Sequence, residues 1–277
     1  MKTTLRRLAA MKAADQRIIA LGVYDAVTAC IADAIGFELF VIGNSGPMCL
    51  LGRMRATEVP ESELIAMTAA VSRTKPKALV VGTLAFGSSV SSRRDAVRAA
   101  VRMIVQGGAD AVQVHGNRAT ARFIRAITDA GIPVLAHLGL QSVRQIQQSG
   151  FGVKGRDPAE ALSILDDAWA MVEAGAFALI VEAVPTQLCG HLRGTLPIPV
   201  LSLGSGGDAD GIYLVAGDAT GYSVFPKPSN AGRFVDAVPV MEAGLATYVA
   251  QVRAQTYPEP DQTRAMKPGE FERFLTL

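Results

Sequence analysis

Cysteine is scarce in this 277-residue chain, which has only Cys30, Cys49 and Cys189. The count is odd and the spacing wide, so neither a disulfide framework nor a zinc knuckle is expected. Aromatic residues make up 6% of the chain, with one Trp. The formal net charge is +2, and no basic block is interleaved with aromatics, so nucleic-acid binding has no support. No run of about 18 apolar residues exists to form a transmembrane helix. Residues 1–16 are basic but have neither a long apolar core nor a cleavage site, and do not read as a signal peptide. These absences lead us to expect a cytoplasmic protein with no membrane or nucleic-acid partner.

Apolar residues, by contrast, make up 49% of the chain, enough for one large core. An α/β barrel of about 250 residues runs as one domain. We therefore expect one domain over residues 1–277, with an N-terminal helix over about 1–16 and a polar tail over about 257–277. Short apolar runs alternate with stretches of helical spacing. The runs are Ile18-Ile-Ala-Leu-Gly-Val23, Leu39-Phe-Val-Ile-Gly43, Ala78-Leu-Val-Val-Gly82, Ala109-Asp-Ala-Val-Gln-Val114, Pro133-Val-Leu-Ala136, Phe177-Ala-Leu-Ile-Val181 and Ile198-Pro-Val-Leu-Ser-Leu203. An eighth strand is expected over residues 222–225 and a last helix over 231–255. Asp25 is placed to cap a helix that Gly36 ends, and Asp157-Pro158 opens another. The pattern predicts a single (β/α)8 TIM barrel.

Phe177-Ala-Leu-Ile-Val-Glu-Ala-Val-Pro185 is the most telling stretch. It reads as a strand buried on both faces that ends on a carboxylate. A buried carboxylate is costly unless paired, and in parallel barrels the carboxyl ends of the strands carry the chemistry. Glu182 is thus a catalytic candidate, with a paired rim Glu as the alternative. The other strand ends supply Asp25, Asn44, Ser45, Thr83, His115, His137 and the loop Gly204-Ser-Gly-Gly207. That loop, with a helix start expected near Asp208, is a candidate anion site or a tight turn. Lys154 and Arg156, in a long loop after the fifth strand, are candidates for a carboxylate or folate tail, or simply solvated charges. Cys189 reads as a buried small residue.

Several pieces occur in a telling order: Tyr24-Asp25, Ile42-Gly-Asn-Ser45, Ala136-His-Leu-Gly-Leu140, Val153-Lys-Gly-Arg156, Val181-Glu-Ala-Val-Pro185, Gly204-Ser-Gly, Asp210-Gly211 and Pro226-Lys227. With them the chain resembles the ketopantoate hydroxymethyltransferases, a family of the phosphoenolpyruvate mutase/isocitrate lyase superfamily of barrels, along nearly its whole length. The resemblance implies a cytoplasmic homo-oligomer acting in pantothenate biosynthesis. Its substrate would be a small 2-oxo acid, with methylene-tetrahydrofolate as co-substrate. It marks Glu182 as the acid/base and His137 as a rim histidine, with Ser45 beside the first metal ligand. The family binds Mg²⁺ through an Asp after the second strand, an Asp after the third and a Glu after the fourth. Those positions here are Asn44, Thr83 and His115, and a substrate-binding Lys of the family corresponds to Gln113. None of these residues brings a negative charge, so tight Mg²⁺ binding is not expected and no metal ligand is assigned. The leading expectation is hydroxymethyl transfer or related aldol-type chemistry next to a 2-oxo acid. Glu182 and His137 would be catalytic, and Ser45, Asn44, Thr83, Gln113, His115 and Asp25 would bind substrate. The alternatives are a lyase or mutase of the wider superfamily, and a non-catalytic barrel that binds a small carboxylate.

Overall fold

The apolar runs pair side by side, all in one direction, and close on themselves. In a computed structural model, which describes residues 1–88, 91–223, 225, 228–229 and 231–277, eight parallel strands form a closed barrel in sequential order. They are β1 (Ile18–Gly22), β2 (Leu39–Ile42), β3 (Leu79–Thr83), β4 (Ala111–His115), β5 (Val134–Gly139), β6 (Ala178–Glu182), β7 (Val200–Leu203) and β8 (Gly211–Val215). Around them run α1 (Leu5–Ala13), α2 (Ala26–Ile35), α3 (Ser45–Leu51), α4 (Glu61–Ser72), α5 (Arg93–Val105), α6 (Ala121–Asp129), α7 (Pro158–Glu173), α8 (Thr186–Thr195) and α9 (Ala216–Thr220). The (β/α)8 expectation holds.

The helix starts follow their capping residues. The Asp25 carboxylate accepts from the Thr28 amide at 2.8 Å and from the Thr28 hydroxyl at 2.8 Å. Ser92 accepts from Asp95 N at 3.0 Å, and Asp157 from Ala159 and Glu160 N. Gly36 ends α2 in the left-handed conformation.

Side chains alternate along each strand, and the inward set changes character along the barrel axis. At the amino-terminal end it is apolar: Ile18, Leu39, Leu79, Leu135 and Ala178 pack in one cluster with Leu8 and Met11 of α1. Helix α1 thus plugs the floor. At the carboxyl end the inward positions become Thr83, Gln113, His137 and Glu182. Outside the strands, Met103, Ile124, Ile127, Met171 and Leu192 pack between sheet and helices.

Two sequence expectations fail at the closing seam. The eighth strand is Gly211–Val215 and not residues 222–225, of which residue 224, like Pro226-Lys227, lies outside the described residues. No helix separates β7 from β8, and none starts near Asp208; residues 204–210 make the whole connection. The glycine run turns the chain straight back to pair with β1, where Ile18 N bonds Asp210 O at 3.0 Å.

The chain divides into two compact units, Met1–Phe234 and Val235–Leu277. The second carries α10 (Ala237–Arg253) and α11 (Glu270–Phe274). Helix α10 is shorter than the expected 231–255 span and buries none of its residues. The expected polar tail contains a 3-10 turn at Pro260–Gln262 besides α11.

Candidate active site

Strand register brings the rim residues together in sequence. Thr83 on β3 stands beside Gln113 on β4, and His115 on β4 beside His137 on β5. Gly139 on β5 stands beside Glu182 on β6. The side chains then form one line. The Thr83 hydroxyl donates to Gln113 Oε1. That bond turns the Gln113 amide nitrogen toward His137 Nδ1, at 2.7 Å. The ring proton of His137 therefore belongs on Nε2. Nε2 comes 2.8 Å from Glu182 Oε2, although the N–H does not line up on that oxygen as a hydrogen bond.

Burial sets the charge of this line. It pushes the Glu182 carboxyl up to about 8 and the His137 imidazole down to about 4. His115, whose ring stacks on His137 with centroids 4.4 Å apart, is held well below the usual imidazole range by burial and by the charges of His137 and Arg144. Near pH 7 the line is therefore uncharged. Glu182 still reaches the mouth, its side chain keeping 23% of its surface exposed.

Gly139 fixes the Glu182 backbone. It sits at φ +81°, where a Cβ would lie 2.3 Å from the Glu182 carbonyl oxygen. Without that Cβ, Leu140 N can bond the same oxygen at 2.8 Å.

On the other side of the mouth the Tyr24 hydroxyl bonds Ser45 Oγ, at the start of α3. Tyr213 reaches in from β8, and a Cβ on Gly22 would lie 2.9 Å from the Tyr24 hydroxyl and 3.0 Å from that of Tyr213. Burial raises the pKa of both phenols, so they stay protonated. Asn44 follows β2, is 5% exposed, and leaves Nδ2 and Oδ1 sealed without a partner. His115 Nδ1 and Gln141 Oε1 are sealed and unpartnered too.

Thr83, Gln113, His137, His115 and Glu182 thus form one group, while Asn44 and Ser45 stand at the end of β2. Asp25 is spent on its cap, although it lines a small opening with Tyr24, Thr28, Cys49 and Tyr222. The Gly204–Gly207 loop turns inward on itself: Ser205 N donates to Ser202 Oγ at 3.1 Å, and Ser205 Oγ bridges Val181 O and Val184 N. It reads as a tight turn. Lys154 Nζ bonds Gln148 O at 2.7 Å within its own loop, and Arg156 is exposed. Cys189 is buried on α8.

Tyr213 and Gln141 escaped the sequence reading. Tyr213 lies on the strand that was misplaced, and Gln141 sits in a loop with no motif. The usable signal for Tyr213 was the run Gly211-Ile-Tyr-Leu-Val215 directly after the Gly-rich turn.

The family model described as ketopantoate hydroxymethyltransferase matches residues 2–260. The chain belongs to the ketopantoate hydroxymethyltransferase family. The 3-methyl-2-oxobutanoate hydroxymethyltransferase of Moorella thermoacetica is 39% identical over 262 residues, 95% of this chain and 97% of that one. Its counterpart in Gluconacetobacter diazotrophicus is 36% identical over 275 residues, 99% of each chain. Among solved structures, a phosphonopyruvate hydrolase in complex with oxalate and Mg²⁺ aligns with a TM-score of 0.61 at 13% identity, covering 99% of this chain and 97% of that one. A 2,3-dimethylmalate lyase of the phosphoenolpyruvate mutase/isocitrate lyase superfamily aligns at 0.56 and 16%, covering 99% and 94%. At these identities the structures speak for the barrel alone.

The family's metal can be tested against the donors present. Asn44 offers a neutral amide, the Thr83 hydroxyl donates to Gln113, and His115 is a neutral imidazole. Among the described residues, no three of His, Cys, Asp or Glu stand close enough to share an ion. Mg²⁺ is a hard cation that requires oxygen ligands and favours carboxylates. This donor set does not fit it.

Proposed function

We propose that this chain transfers a one-carbon unit from methylene-tetrahydrofolate to the carbon next to the carbonyl of 3-methyl-2-oxobutanoate, giving ketopantoate, with Glu182 as the base. The observation that carries the reading is the line Thr83–Gln113–His137–Glu182 at the mouth of a barrel of this family. It ends on a carboxylate whose pKa burial has raised toward neutrality, the range in which general bases work best. Glu182 takes the proton from the substrate carbon, and the carbon so activated bonds to the one-carbon unit; both bonds from that unit to folate nitrogens break, water supplies the hydroxyl oxygen of the product, and tetrahydrofolate leaves. His137, its tautomer fixed by Gln113, presents Nε2 to the Glu182 oxygen at 2.8 Å. Ser45, oriented by Tyr24, lines the substrate side.

The test is incubation of the purified protein with both substrates, with and without Mg²⁺, following ketopantoate. Product should form, and kcat/KM should climb with pH and level off above about 8, as the carboxyl ionises. A rate that falls between pH 6 and 8 would exclude Glu182 as the base. Absence of product under every condition would remove the reading.

Assembly is part of the same reading. Met241, Leu245, Tyr248, Val249 and Val252 are all exposed at helical spacing along α10, and a second copy of the chain is the occupant we propose for that stripe. Light scattering at micromolar concentration should give a multiple of the 29.1 kDa chain mass. A monomer mass would overturn it.

A further inference from the structure

We propose that Asn44 and His115 form an uncharged hydrogen-bonding cradle that takes the substrate's carbonyl oxygen directly, at the positions that the family resemblance assigns to metal ligands. The inference rests on the proposed reaction and concerns the same site.

Asn44 carries the first observation. It precedes α3 but makes no capping bond, and its own φ is already helical at −58°. Both ends of its amide are sealed from solvent and bonded to nothing. A buried polar group left unmade costs about 1–3 kcal/mol, so buried amides are almost always bonded. An Asn that satisfies neither fold nor solvent, at the carboxyl end of a barrel strand, is placed for a ligand.

His115 carries the second. Its Nδ1 is likewise sealed and unpartnered, and the stack on His137 fixes the plane of the ring. A neutral imidazole has one donor and one acceptor nitrogen, so it can present an N–H to an oxygen. Thr83, between the two in strand order, is not available, because its proton is committed to Gln113. Two neutral donors aimed at one oxygen are the means by which enzymes without a metal stabilise a developing oxyanion. Here that oxyanion forms at the carbonyl oxygen when Glu182 removes the neighbouring proton. The C–H electron pair moves into the new C=C bond, the carbonyl π pair moves onto oxygen, and the proton stays on Glu182. Gln141, tied by Nε2 to Gly116 O at 2.6 Å, leaves its Oε1 as an acceptor at the same rim.

The test uses the full-length protein, stripped with EDTA, and measures binding apart from turnover. Titration with 3-methyl-2-oxobutanoate by calorimetry should give the same Kd with EDTA and with millimolar Mg²⁺. Mn²⁺ titration followed by electron paramagnetic resonance should show no saturable site. Asn44→Ala and His115→Ala should each weaken the 2-oxo acid about tenfold, the order expected for one lost hydrogen bond with a partner left unpaired. Both variants should keep the wild-type melting temperature to within a few degrees. Asn44→Asp/Thr83→Asp/His115→Glu should bind Mn²⁺ where the wild type does not, and bind the 2-oxo acid only in its presence. Saturable Mn²⁺ binding by the wild type that is required for 2-oxo acid binding would overturn the inference. So would unchanged affinity in both alanine variants, which would mean that water alone meets these atoms. In either case the proposed reaction would stand. If the wild type binds the 2-oxo acid under no condition, the proposed reaction falls and the inference with it.

Discussion

Replacing Glu182 by Gln should lower turnover at least about 100-fold while the barrel stays folded. General-base catalysis contributes about 10²–10⁴-fold, and Glu182 is the carboxylate that ends the Thr83–Gln113–His137 line. The amide keeps the size of the side chain and one oxygen toward His137 Nε2, but cannot accept a proton from carbon. A second measurement separates this from a structural role. Burial raises the Glu182 pKa to about 8, above its unfolded value near 4.3, so the fold favours the protonated carboxyl. The stability from that preference is complete below the unfolded value and is lost as pH rises through about 8. Gln imitates the protonated form at every pH. The variant should therefore melt no lower than the wild type at pH 6 and higher at pH 9, the trade of stability for activity seen at strained active sites. Near-full activity would make Glu182 structural. Failure to fold would mean that its contact with His137 holds the rim together.

The barrel itself was legible because seven of its strands are short apolar runs bounded by Gly, Pro or a capping residue, and the first six are each followed by a recognisable connection. The eighth was not. Gly211-Ile-Tyr-Leu-Val215 follows a glycine-rich turn with no helix between, so a reading that expects strand and helix to alternate passes over it. That single slip hid Tyr213. Glu182 and His137 were visible because they end apolar runs. Their pairing was not, because it depends on the β5–β6 register, with Gly139 opposite Glu182. Gln113 was noticed through family resemblance alone. Its role as the link between Thr83 and His137 comes from β3–β4–β5 adjacency, which no local pattern encodes. Asp25 shows the opposite case: sequence offered it both as a cap and as a site residue, and its two bonds to Thr28 occupy it as a cap.

Replacing Asp210 by Ala should destabilise the barrel more than Asn44→Ala, His115→Ala or Glu182→Gln at its mouth. Asp210 opens β8 at the amino-terminal end, far along the strand from the chemistry, and its side chain is 4% exposed. One carboxylate oxygen accepts from Lys12 Nζ on α1 and from Val200 N on β7, both at 2.8 Å. The other accepts from Arg193 Nε on α8 at 3.3 Å. Its backbone meanwhile pairs with Val200 O and Ile18 N. One residue thus joins β7, β8 and β1, the seam at which the barrel closes, to the helix that plugs its floor. Alanine strands the Lys12 ammonium, whose side chain is 16% exposed, with only Arg193 O as partner, and leaves the Val200 amide buried and unmet. Removing one partner of a buried pair costs about 3–5 kcal/mol, which lowers the melting temperature of a unit this size by roughly 10 °C. Asp210→Asn keeps an acceptor for Val200 N and should lose about half as much, because a neutral bond is worth roughly half a charge-assisted one. Below the transition both variants should turn over as the wild type does, since the site lies at the other end of the strands. Thermal melts of the two variants check this, and a shift under about 2 °C for Asp210→Ala, less than a single kcal/mol, would show that the seam holds without its carboxylate.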